Sequence, residues 1–150
     1  MPSDVVISGR AEGGAAETAS ASSALPLFAA TVQAGFPSPA DDYLEGALDL
    51  NEHLIRRPAA SFRLRVTGDS MSGAGIHSSD LFIVGRSRQP GDVDIVIAVI
   101  DGELTVKRLY RRRGRIRLLA ENPRYRPIDI GAEQDLHVWG VVIHAVHSFV

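Results

Sequence analysis

Two apolar runs, DIVIAVI ending at Ile100 and ELTVKRLY beginning at Glu103, are separated by nothing but Asp101 and Gly102. A two-residue Asp-Gly linker asks for left-handed backbone at both positions, and the type I′ turn it forms twists the same way as the strands it joins. The middle of the chain is therefore predicted to be a β-hairpin. Its surroundings carry the same signature. FRLRVT sets Phe62, Leu64 and Val66 on one face and Arg63 and Arg65 on the other, the alternation of a half-buried strand. LFIVG at 81–85, IRLLA and HVWGVVIHAV add apolar runs of strand length with short connections. The expected fold is mainly β, with five or six strands and no internal repeat.

Upstream the pattern changes. The stretch from Arg10 to Ala24 is almost entirely Ala, Ser, Gly, Glu and Thr. With no large side chain to bury it cannot offset its ordering entropy, and a flexible arm is expected. Alanine favours a transient helix over Glu12–Ser22, which the serines and the Gly13-Gly14 pair weaken. In LPLFAATVQAGFPSP, the prolines Pro26, Pro37 and Pro39 exclude a continuous helix and favour an extended segment. SPADDYLEGALDLNEHLI reads as short helical pieces. Ser38 precedes Pro39 as a cap, Asp49 and Glu52 have capping-box spacing, and Tyr43, Leu44, Leu48, Leu54 and Ile55 supply an apolar side.

A chain of 150 residues makes one domain with a well-buried core plus an arm. Sixteen Lys and Arg against eighteen Asp and Glu leave a net charge of −2, so no global basic field holds the protein on DNA. The absence of cysteine excludes disulfide scaffolds, thiolate zinc sites, iron–sulfur clusters and cysteine nucleophiles. No apolar run approaches the ~20 residues of a membrane span. The N-terminus also lacks a basic region followed by an uninterrupted apolar run, so the expectation is a cytoplasmic protein with no membrane partner.

Without cysteine, the candidate nucleophiles are serine and threonine. Ser70, in GDSM, stands directly after a strand and the Gly68-Asp69 pair, where a chain leaving a sheet can present a side chain to a cleft. Lys107 is its candidate base. Period two puts Lys107 on the face of Thr105 and Leu109 rather than that of Val106. A lysine on a buried face beside a strand-end serine suggests a Ser–Lys dyad, in which desolvation keeps the amine neutral enough to take the hydroxyl proton. Spacing alone leaves open the ordinary alternative, a solvated lysine on an edge strand.

Five histidines, His53, His77, His137, His144 and His147, invite a Ser–His–Asp or metal site. His144 and His147, on one strand, point to opposite faces and make a poor ligand pair, so no metal or cofactor is expected. Asp69 and Asp80 read as residues of a turn and of a strand start rather than as triad acids. The run from Arg111 to Arg117 places five arginines around Gly114, most simply as a solvated hairpin connection, with a protein or DNA contact surface as the alternative.

Taken in order, QAGFPSP, DDYLE, DLNEHLI, GDSM, GDVDIVIAV, DGELTVK and VWGVVIH resemble the self-cleaving peptidase domain shared by LexA-type repressors and UmuD-type mutagenesis proteins. The resemblance extends from Leu25 to the C-terminus. It implies a LexA/signal-peptidase-like twisted β-sheet domain with short helical pieces and a flexible N-terminal arm. It makes Ser70 the nucleophile, Lys107 the general base and Ala34–Gly35 the scissile bond. Cleavage there would divide the chain into an arm, 1–34, and a peptidase and dimerisation domain, 35–150. Residues of this size suit the chemistry, because a β-like segment carrying Ala34 and Gly35 can enter a narrow cleft and Gly35 leaves the Ala34 carbonyl open to attack. Val32, two residues before Ala34 and on the same side, can fill a shallow apolar pocket. Some UmuD proteins carry Cys before this glycine, whereas Ala34 matches LexA-type sites. The backbone N–H groups of Ser70 and Met71 are the expected oxyanion donors, since no Asn or Gln side chain is expected close to the motif.

The resemblance also implies a homodimer, a RecA–single-stranded-DNA filament that promotes cleavage, and a UmuC-type translesion polymerase that the shortened product joins during the SOS response. No sequence-specific DNA binding of its own is expected. Two other functions compete. A LexA-like repressor needs a helix-turn-helix domain ahead of the cleavage site, and thirty-four residues rich in Ala, Ser and Gly are not expected to build one. A noncatalytic dimeric adaptor would bind a polymerase through its β surface. Signal peptidase shares Ser–Lys chemistry but needs a membrane anchor.

Overall fold

The computed structural model describes residues 24–29, 34–35 and 44–150. They fall into two compact units, divided between Arg56 and Arg57. In the smaller unit, β1 (Leu25–Phe28) and β2 (Leu44–Leu48) form an antiparallel ribbon with Leu25 opposite Leu48 and Phe28 opposite Leu44. The extended segment expected from Leu25 is borne out at β1. The helical piece expected at Leu44–Leu48 is not. That stretch contains Gly46, which weakens a helix, while pairing with β1 satisfies its backbone. The helical expectation holds for α1 (Leu50–Leu54), where the Asp49 carboxylate caps the helix by accepting the Asn51 N–H at 2.9 Å. The expected arm up to Ser23, together with Val32, Ser38, Pro39 and Tyr43, lies outside the described residues.

The larger unit is a seven-stranded antiparallel sheet. Its strands are β3 (Ser61–Arg65), β4 (Leu81–Gly85), β5 (Ile95–Ile100), β6 (Glu103–Arg112), β7 (Arg115–Leu119), β8 (Ile128–Ile130) and β9 (Leu136–Val146). Their spatial order is β3-β4-β9-β5-β6-β7-β8. The predicted mainly β class is correct, but the count of five or six strands falls short. β8 has only three residues, too few for a period to show, and it exists as the antiparallel partner of β7.

Both faces of the central strands are buried, so β5 reads as a nearly continuous apolar run. Ile97 belongs to one core cluster, with Leu64, Val66, Met71, Phe82, Val84 and Val106, while Val96 and Ala98 pack with Leu109, Leu118 and Val141. At one edge of the sheet, β3 presents Arg63 and Arg65 to solvent, charges that discourage pairing with another chain. The predicted hairpin turn is confirmed by its backbone, with φ of 49° at Asp101 and 84° at Gly102. Between β6 and β7 the same turn recurs at Arg113 and Gly114. The arginine run is thus a hairpin connection. Asp92 accepts from the Arg111 backbone N–H and from Arg112 Nε, both at 2.9 Å, and these contacts hold its carboxyl below the usual carboxylate range.

Candidate active site

The segment after β3 is fixed at both of its ends. Val66 donates to the Asp80 carbonyl at 3.0 Å and accepts from the Ser79 N–H at 2.7 Å. The chain then turns through Gly68, whose φ of 96° suits glycine. Three residues on, Met71 is buried against the core cluster built around Phe82. Ser72–Ala74 form a single 3₁₀ turn closed by the left-handed Gly75. Ser70 is therefore held between a sharp turn and an anchored side chain. No described residue accepts a hydrogen bond from the buried Met71 N–H.

Lys107 comes from the interior of the sheet, on β6 between β5 and β7, directly opposite Val96. This removes the alternative of a solvated lysine at an edge. Lys107 is 4% exposed and Ser70 2%, and Lys107 Nζ donates to Ser70 Oγ at 2.9 Å. Thirty-seven positions of sequence separate the two residues. A serine and an amine within hydrogen-bond reach, both shielded from water, have the geometry of an activated nucleophile and its base.

A third segment completes the site, and the sequence reading missed it. The connection from β7 to β8 lies along the Ser70 segment. Glu121 O accepts the Gly73 N–H at 2.7 Å, Asn122 Nδ2 donates to the Asp69 carbonyl at 2.9 Å, and the Tyr125 hydroxyl donates to the Asp69 carboxylate. The Tyr125 ring centroid is 5.8 Å from Lys107 Nζ. A Cβ at Gly73 would fall 2.5 Å from Glu121 O, so this glycine is what permits the close approach. Asp69, expected as a turn residue, is gripped at both its carbonyl and its carboxylate.

The remaining candidates are not assembled with this pair. Asp80 is buried, accepts the His77 N–H at 2.8 Å and pairs with His147 Nδ1 at 2.6 Å. That carboxylate–imidazole pair resembles part of a triad, but the ring neighbours of His147 are His77 and Phe149, and Lys107 is the side chain that meets the Ser70 hydroxyl. No group of residues able to hold a metal occurs among the described residues. None of the described helices is long and apolar enough to cross a membrane. Ala34 and Gly35, in the smaller unit, are exposed.

Comparison with known proteins finds that residues 26–143 match the family described as Peptidase S24-like. The chain is 49% identical over 123 residues to the protein ImpA of Escherichia coli, covering 81% of this chain and 83% of that protein. It is 38% identical over 123 residues to the protein MucA of Escherichia coli, covering 81% and 84% respectively. It is 42% identical over 120 residues to LexA repressor 1 of Geobacter sulfurreducens, covering 79% of this chain and 58% of that one.

Proposed function

Since the chain belongs to the peptidase S24-like family, we propose that it is a UmuD-type autoprotease in which Ser70 attacks the Ala34–Gly35 bond with Lys107 as general base. The observation that carries this is the buried contact of 2.9 Å between Lys107 Nζ and Ser70 Oγ. With the amine in its free form, the Ser70 hydroxyl donates its proton to Nζ as Oγ attacks the Ala34 carbonyl carbon. The resulting oxyanion is received by the Ser70 and Met71 N–H groups. As the C–N bond breaks, the lysine ammonium returns a proton to the Gly35 nitrogen, leaving residues 1–34 esterified to Ser70. Water then hydrolyses the ester and frees Ser70. The exposure of Ala34 and Gly35 supports their availability to a cleft.

On this reading the protein is a cytoplasmic homodimer whose cleavage is stimulated by a RecA–single-stranded-DNA filament. The product, 35–150, serves a UmuC-type translesion polymerase in the SOS response. The competing reading, a noncatalytic adaptor, gives no reason for an amine and a serine hydroxyl to be buried together.

The acceptor must be a free amine, and an amine loses its proton as pH rises. Self-cleavage of the purified full chain is therefore expected to accelerate as pH rises. Fragment yield against time at each pH measures this. A rate that stays flat, with bond cleavage the slow step, would count against an amine as the base.

A further inference from the structure

Building on the assignment of Ser70 as nucleophile and of the Ser70 and Met71 N–H groups as oxyanion donors, we propose that Asn122 is a positioning residue that aims the Ser70 N–H. A trans peptide is planar, with its C=O and N–H directed to opposite sides. Whatever holds the Asp69 oxygen therefore also sets the direction of the Ser70 N–H. Asn122 Nδ2 holds that oxygen at 2.9 Å, with a second, weaker hold from the Ser72 N–H at 3.2 Å.

The amide is itself oriented. Asn122 Oδ1 accepts the Arg124 N–H at 3.0 Å, an Asx turn that commits this end of the side chain as acceptor and turns Nδ2 toward Asp69. The backbone beneath it is fixed in the same way. Tyr125 N–H donates to Asn122 O at 3.0 Å, Gly73 N–H donates to Glu121 O at 2.7 Å, and the Glu121 carboxylate pairs with Arg108, the neighbour of Lys107 on β6. A chain of contacts thus runs from the strand bearing the base, through the β7–β8 connection, to the peptide plane bearing an oxyanion donor. Such donors act by being in place before charge develops, and loss of one costs about 10²–10³-fold in rate.

The isosteric variant separates positioning from architecture. Asn122→Asp keeps Oδ1, and with it the turn to Arg124, but loses the donor to Asp69, whereas Asn122→Ala loses both. In the full chain, both variants are expected to lower the self-cleavage rate constant by about tenfold to a hundredfold. Modification of Ser70 by diisopropyl fluorophosphate, which uses the same donors without needing the arm, should slow in parallel. The melting temperature of Asn122→Asp should stay within a few degrees of the parent. A parental cleavage rate in Asn122→Asp beside a slow Asn122→Ala would assign Asn122 to the turn alone and overturn the proposal. Ser70→Ala runs alongside: if inert, a parental Asn122→Asp removes only the positioning role, and if it cleaves normally, the serine mechanism and the positioning role fall together.

Discussion

Replacing Ser70 or Lys107 with alanine is expected to lower self-cleavage by about a thousandfold or more, and replacing both is expected to cost no more than either alone. One substitution removes the attacking oxygen and the other the group that takes its proton, and members of one catalytic unit fail together rather than additively. Lys107 is 4% exposed, so its truncation also leaves unfilled space, with the attendant loss of packing. Lys107→Met separates the two effects, because it keeps most of the aliphatic stem and removes only the amine. It should be as inactive as Lys107→Ala while melting closer to the parent. Fragment formation followed by mass, with thermal unfolding of each variant, measures both. An active Lys107→Met would mean that the lysine fills the site without serving the chemistry.

Phe82→Ala is expected to be the most damaging single truncation of the core. Phe82 is wholly buried in β4, which is paired on one side with β3 and on the other with β9. Its cluster joins Leu64 and Val66, from the approach to the Ser70 segment, to Met71 within it. Removing a buried phenyl ring costs about 3–5 kcal/mol, a large share of the roughly 5–15 kcal/mol that holds a domain folded. At about 2–4 °C per kcal/mol for a chain of this size, the melting temperature should fall by roughly 6–20 °C. A fall of only a degree or two would show that this cluster is not where the stability of the sheet resides.

The strands that place the dyad were legible because each is long enough for its period to appear. Phe62, Leu64 and Val66 alternate with arginines, and the Asp101-Gly102 turn fixes the register that sets Lys107 opposite Val96. Strand β8, at three residues, carries no period. Leu44–Leu48 became a strand through pairing with Leu25–Phe28, a tertiary choice that local helix propensity does not contain. The burial of Lys107 is likewise a tertiary outcome. Nothing in ELTVKRLY says that the Ser70 hydroxyl and the Tyr125 ring will lie beside its amine. Asn122 and Tyr125 were missed because they reach Asp69 across 53 and 56 positions. Neither is a sequence neighbour of GDSM. An asparagine before a proline reads as an ordinary turn until the fold lays that turn against the serine.

The most direct test of the proposed chemistry is the intact mass of the purified full chain after incubation at alkaline pH, beside Ser70→Ala treated identically. The parent is expected to yield two products, residues 1–34 and 35–150, their masses summing to that of the chain plus one water, while Ser70→Ala remains whole. The same cut in Ser70→Ala, or a serine-dependent cut at any bond other than Ala34–Gly35, would contradict it.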